Sequence, residues 1–412
     1  MSKRVSIGMV IALMAVTAAV TFPVSYQMAM NQFNQTVADV NERQEMYDKL
    51  ATVDQRVRQN YLGEIDEAKL RDGMCEGYLA GLQDGQSGYL TAEQYQAYLK
   101  GEQEQTVGIG VHTIRDPDGN LEVVEVIPAS PAEQEGLQKG DVIIAIDGKE
   151  VKRLGYHESV AKLRGDAGSK IALDLLRLEQ PEQEEAASHL STVQITLTRA
   201  SYQENAVSYR LIDADVGYVA ISSFAPKTAE QFSSAVNALL EQGARGFVFD
   251  VRSCTGDSVE SAAKMLDILL PAGNLIGSMD KKGEKQFLYD SDAKELNLPM
   301  SVVINSGSYG AAELFASAIK DYHKGILVGE TTAGQGSEQK VFPLADGSAI
   351  RLTVGNYITP ESGVFTGVGI QPEREIVLSE AQRALLDRHS LDEAEDAQLL
   401  AAITALQAMP AE

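Results

Sequence analysis

Tryptophan is absent from this chain, cysteine occurs twice and histidine five times. Cys75 and Cys254 cannot build a disulfide framework. Even with the scattered histidines they do not suggest a four-ligand zinc site, so neither a metal site nor a cofactor is indicated. Basic residues are also scarce: 35 Lys+Arg stand against 59 Asp+Glu, a formal net charge of −24. Phosphate binding needs concentrated Lys and Arg, so a nucleic-acid partner is excluded. Apolar residues are not in short supply: 44% of the 412 residues are hydrophobic, ordinary for a chain with buried cores. That length predicts two or three domains.

Charge is missing from one long stretch. Ser2-Lys3-Arg4 is followed by Val5 to Met30 without a charged residue, most apolar over Val5–Phe22. About 20 apolar residues span a bilayer. Positive charge before the stretch and acidic sequence after it orient the bulk of the chain outward. Residues 1–30 are therefore expected to be a single-pass signal anchor, with the rest extracytoplasmic in a bacterial envelope. A cleaved signal peptide, processed in the Ala-rich Ala15–Ala19 region, is the alternative and gives a secreted protein.

From Asn31 to about Lys100 apolar residues recur at three- and four-residue spacings, so residues 31–104 read as a helical region. The period then becomes strand-like. Gly108-Ile109-Gly110-Val111 precedes the alternating Leu121–Ile127, and Asp141–Lys149 is a strand closed by the hairpin signal Asp147-Gly148. A helix over Tyr156–Arg164 and strands Ile171–Leu178 and Thr192–Thr198 follow, separated by an acidic loop with Glu179, Glu182, Glu184 and Glu185. Residues 105–200 resemble a PDZ domain on the ordered run Gly108–Val111, Ser130-Pro131-Ala132, Gly136-Leu137, Gly140-Asp141 and Asp147-Gly148. The glycines of Gly108–Val111 would let backbone N–H groups converge on a chain-terminal carboxylate while the next strand edge pairs with an extended peptide.

Residues 205–378 alternate strands and helices: strand Val216–Phe224, helix Ala229–Gln242, buried strand Gly246–Arg252, helix Val259–Leu270, strand Met300–Asn305 and helix Ala311–Tyr322. This is the pattern of an α/β domain with a covered sheet. Residues 379–412 form an acidic helical tail with Leu385, Leu386, Leu399, Leu400 and Leu406, which either packs on the core or mediates oligomerisation. Two strand-to-helix junctions stand out, Asp250–Asp257 and Met300–Phe315. Backbone N–H groups there, at Gly256 and Ala311, can hold a carboxylate or an oxyanion.

Together with Gly329-Glu330-Thr331, Tyr89-Leu90-Thr91, Gly217-Tyr218, Ile221–Phe224, Phe342-Pro343-Leu344, Asp346-Gly347-Ser348 and Thr359-Pro360, these junctions resemble the C-terminal processing peptidases, or tail-specific proteases. The resemblance spans nearly all of the chain after residue 30. It implies an α/β multidomain protein: an N-terminal helical arm, a β-rich PDZ domain and a peptidase core of the ClpP/crotonase-like type. It also implies a serine–lysine dyad. The family's nucleophile lies three residues before a glutamate, and counting back from Glu313 gives Gly310. The family's lysine falls at Gln335, the glutamine four residues later is retained as Gln339, and a Gly-Gly pair has become Gly256-Asp257.

Glycine has no oxygen with which to attack a carbonyl, and an amide is not a base near neutral pH. The reading is accordingly a peptide-tail binder whose dyad has degenerated, with an active paralogue as one possible partner and the membrane as another. The alternative is a working serine endopeptidase with Ser308 as nucleophile. Lesser candidates are Ser306, Cys254, His323 and Lys340, the last expected to point away from the strand face that carries Gln339.

Overall fold

The computed structural model describes residues 43–103, 107–179, 189–202, 205–213, 215–254, 256, 258–292 and 294–408. They fall into two compact units divided between Gly77 and Tyr78. The expected anchor, the acidic loop of residues 180–188 and Asp257 lie outside the described residues. Among those described, no helix is long and apolar enough to cross a membrane.

In the first unit a helix over residues 43–60 is followed by the start of helix Glu67–Ala80. The helical run expected through this region breaks at residues 61–66. Helix restarts where the Asp66 carboxylate accepts the N–H groups of Ala68 and Lys69, both at 3.1 Å. Arg58 ties the two helices by donating to both carboxylate oxygens of Glu67, at 2.6 and 3.0 Å.

In the second unit, Gly246-Phe-Val-Phe-Asp250 is buried at every position, as a strand covered on both faces must be. Its side chains divide by parity. Phe247 and Phe249 enter one core with Phe224, Phe232 and Phe315, whereas Val248 enters a second core on the opposite face. The sheet runs in the order Val207–Ile212, Val216–Ile221, Gly246–Asp250, Met300–Ile304, Gly325–Gly329, Arg374–Glu375. It is parallel except for its first strand. Helices Thr228–Glu241, Val259–Leu269 and Ala311–Asp321 pack on the phenylalanine-rich face.

The other face is covered by the tail. Helix Ala397–Gln407 buries Leu399, Ile403 and Leu406 against Val216, Val248, Val303 and Val328. The tail thus packs on the core, one of the two fates left open in sequence. Burial of those three side chains contributes on the order of 5 kcal/mol as a transfer term. The tail is two helices, Glu380–Asp387 and Ala397–Gln407, separated by a turn in which His389 has a φ of 51°.

A second six-stranded sheet includes Gly273–Asp280, Lys285–Ser291, Ser337–Pro343 and Ala349–Thr359. It also takes in Gly88–Leu90, paired with residues 349–351, so the stretch read as helical up to Lys100 contains a strand. Residues 107–201 form a separate five-strand path with Lys149–Glu150 beside it, over its own core of Leu121, Ile143, Ile171, Leu173 and Leu197. Asp147 and Gly148 both have positive φ, 49° and 74°, as a two-residue hairpin turn demands.

Candidate functional site

Both junctions leave the carboxyl ends of neighbouring parallel strands, Gly246–Asp250 and Met300–Ile304. Side chains stitch them together. Asn305 Oδ1 accepts the Ser253 N–H at 2.8 Å, and Ser308 Oγ donates to the Val251 carbonyl at 2.7 Å. Gly256 has a φ of 99°, and a Cβ there would come within 2.5 Å of the Phe224 carbonyl oxygen. Only glycine fits. No acceptor among the described residues takes the N–H of Gly256 or of Ala311, the first residue of helix Ala311–Asp321.

Gly310 precedes that helix with φ 63° and ψ −115°, a conformation suited to glycine and strained for any other residue. Strained strand-to-helix elbows are where α/β-hydrolases expose a nucleophilic serine. Here the elbow is formed without the side chain.

Glu313 holds the elbow to the loop that carries Gln335. Its carboxylate is fully buried and accepts four donors. These are the N–H groups of Gly310 (3.1 Å), Gly334 (2.7 Å) and Gln335 (2.7 Å) and the hydroxyl of Thr332. One oxygen, Oε2, serves both Gly310 and Gln335, so the two positions are fixed to each other through a single atom.

The Gln335 side chain is exposed and joins an amide cluster. Gln86 Nε2 lies 3.4 Å from Gln335 Oε1, and Gln339 Nε2 donates to Gln86 Oε1 at 2.9 Å and to Thr353 Oγ1 at 2.7 Å. The orientation of Gln339 follows from Asp84. Its carboxylate accepts the hydroxyl protons of Ser87 and Thr353 and the Gln86 N–H, which depress its pKa to about 2. Thr353 having given its proton to Asp84, its oxygen can only accept from Gln339. Gln339 Oε1 is then buried with no hydrogen-bond partner among the described residues.

The remaining sequence candidates are dispersed. Ser308 is fully buried, and besides donating to Val251 it accepts the Asn305 N–H at 3.1 Å. Cys254 is buried too, and burial together with the nearby Asp250 charge pushes its thiol pKa up, away from thiolate. Ser306 is exposed, as is His323, whose φ is 53° just beyond the helix. Lys340 sits over the Phe342 ring, two residues along its own strand face and away from Gln339.

Sequence reasoning missed Gln86, Asp84 and Thr353, which are distant from Gln335 in the chain and carry no local motif. It also missed the role of Asp250 and Arg252, although two charges at the end of an apolar strand were the available signal. Arg252 donates to Asp250, to Asp396 at 3.0 and 2.7 Å and to Gln398 at 3.1 Å, all buried. Burial by itself would raise the Asp250 pKa, but Arg252 more than offsets it and holds the carboxyl below its usual range. The tail is thereby locked to the first junction.

In the PDZ-like region, Gly110 has a φ of 82°, and a Cβ would overlap Ser130. One expectation needs correction. The N–H of Ile109, assigned to carboxylate capture, donates to the Leu163 carbonyl at 3.2 Å, because the end of helix Tyr156–Leu163 closes over the loop. The Ile109 side chain is buried in the core. Val111 begins strand Val111–Arg115, which borders a groove of about 220 Å³ also lined by Val160, Leu163, Arg164 and Tyr202.

Comparison with known proteins agrees with this architecture. The family described as "Peptidase family S41" matches residues 215–376, and a PDZ domain family matches residues 122–177. The carboxy-terminal processing protease CtpA of Bacillus subtilis is 30% identical over 328 residues, 79% of this chain and 68% of that protein. The carboxyl-terminal-processing protease of Synechocystis is 30% identical over 308 residues, 73% of this chain and 70% of that protein. Among solved structures, the photosystem II D1 C-terminal processing protease superposes with a TM-score of 0.54 at 25% identity, covering 81% of this chain and 89% of that one. The chain belongs to the C-terminal processing serine peptidase family, with a PDZ domain ahead of its peptidase core.

Proposed function

We propose that this family member binds peptide or protein tails without hydrolysing them. The observation that carries the reading is the pairing of Gly310 with Gln335, held by one Glu313 oxygen. The framework for a dyad is present, and its two positions hold neither an attacking oxygen nor an amine base. Ser308 supports the same conclusion, since its buried hydroxyl already donates to a main-chain carbonyl. A peptide could still be held by the N–H groups of Ala311 and Gly256 and by the PDZ groove.

We further propose that residues 1–30 anchor the protein in a bacterial envelope with the bulk outside, where it acts as a decoy, an adaptor or a regulator of an active paralogue. Two measurements test the reading. Purified protein is expected to leave casein intact; sustained cleavage that disappears in Ser308→Ala would establish the endopeptidase alternative instead. Fluorescence polarisation should detect peptides ending in an apolar residue with a free carboxylate, whereas a purely structural envelope scaffold would bind none. Recovery of the full chain in the membrane fraction after alkaline extraction tests the anchor.

A further inference from the structure

Strand Val111–Arg115 is the outermost of its sheet, so one row of its main-chain groups has no neighbouring strand. Val123, which faces Thr113, identifies the row. The Val123 N–H donates to the Asp141 carbonyl at 2.8 Å and its carbonyl accepts the Gly140 N–H at 2.7 Å, both on the far side. Thr113 and Val123 are therefore a non-hydrogen-bonded pair, and the N–H and C=O of Thr113 point outward into the groove. The Tyr156 hydroxyl donates to that Thr113 carbonyl at 3.0 Å. At the opposite end of the same helix, the Leu163 carbonyl accepts the Ile109 N–H. Helix Tyr156–Leu163 thus commits the Ile109 N–H at one end and, at the other, satisfies an acceptor on the strand edge that an added peptide strand would use.

We propose that Tyr156 is a latch that sets the affinity of this groove: its hydroxyl stands on the outward edge of the strand, bonded to the Thr113 carbonyl, and an incoming peptide strand that pairs with that carbonyl competes with it for the same space. The inference rests on the reading that the groove takes peptide tails. A binding-competent state populated only in part lowers the apparent affinity by that fraction, and removing the latch restores it. One neutral hydrogen bond of ordinary net strength corresponds to roughly a 2- to 10-fold change.

The test uses the full chain and a fluorescein-labelled unstructured peptide ending in Val with a free carboxylate. Tyr156→Phe keeps the ring packed on the PDZ core and removes only the hydroxyl. Its Kd is expected to fall by about 2- to 10-fold, and Tyr156→Leu, a second variant without the hydroxyl, should shift the same way. Unchanged or weaker binding by both variants overturns the latch while leaving tail binding intact. If neither wild type nor variants bind the peptide, tail binding itself fails and the latch falls with it.

Discussion

Restoring a serine at the elbow is the sharpest probe of this protein. Gly310 has φ 63° and ψ −115°, where a residue bearing a Cβ is strained by about 1–3 kcal/mol. Gly310→Ser should therefore lower the folded-to-unfolded ratio of the core by roughly 5- to 150-fold. Gly310→Ala should do the same, since the Cβ and not the hydroxyl carries the strain. With no tryptophan in the chain, urea unfolding is followed by far-UV circular dichroism. Activity is read on casein with the same preparations. Gly310→Ser alone is expected to be inactive, because the position four residues before Gln339 offers an amide and nucleophile and base act as a unit. Only Gly310→Ser combined with Gln335→Lys can regain turnover. That turnover should be weak, because residue 335 is exposed and a solvated lysine stays protonated at neutral pH. Cleavage by Gly310→Ser alone would refute the account of Gln335, and unchanged stability in both single variants would refute the strain argument.

Other outcomes follow from the buried network and the tail. Arg252→Ala leaves the Asp250 and Asp396 carboxylates buried without their cation and is expected to destabilise by about 3–5 kcal/mol; a loss below about 1 kcal/mol in urea titration would contradict this. Glu313→Gln places an NH₂ against N–H donors and should loosen the 332–335 loop, seen as faster amide exchange at Gly334 and Gln335 with the distant PDZ residues unaffected. Asp84 has a depressed pKa, so the stability it contributes is complete above about pH 4 and is lost as the pH falls through about 2. Asp84→Asn should show a shallower acid loss between those values, and an unchanged slope would rule out the contribution. A chain ending at residue 390 exposes the apolar face beneath Leu399, Ile403 and Leu406, and loss of cooperative unfolding in circular dichroism is the expected result.

Where burial imposes a simple period, sequence and structure agree closely. Gly246–Asp250 and Met300–Ile304 read as strands because both faces are covered, and helices Val259–Leu269 and Ala311–Asp321 read from their apolar spacing. Of the second sheet, only the strand that carries Gln339 and Lys340 was legible. Gly273–Asp280 pairs with its neighbour through register shifts at Asn274/Ile276 and Ile276/Gly277, which break the alternation that marks a strand. Gly88–Leu90 is only three residues long and exists as a strand because of its distant partner at residues 349–351. The elbow at Gly310 was legible by position, since Glu313 fixed the count, but its backbone angles were not. Gln86 meets Gln339 across 253 residues and Arg252 meets Asp396 across 144, contacts that no local pattern encodes. Tyr156 was assigned to a helix correctly, yet its hydrogen bond to Thr113 depends on how that helix lies across the strand edge.

Because the lower face of the central sheet is closed by helix Ala397–Gln407, which follows in the chain every strand it covers, that face cannot mature until the helix has been synthesised. Until helix Ala397–Gln407 arrives, Arg252 keeps only one of its two carboxylate partners and a row of valines faces water. A product lacking that helix would therefore be recognisable as unfinished along this face of its core, and quality-control proteases would remove it as a damaged chain.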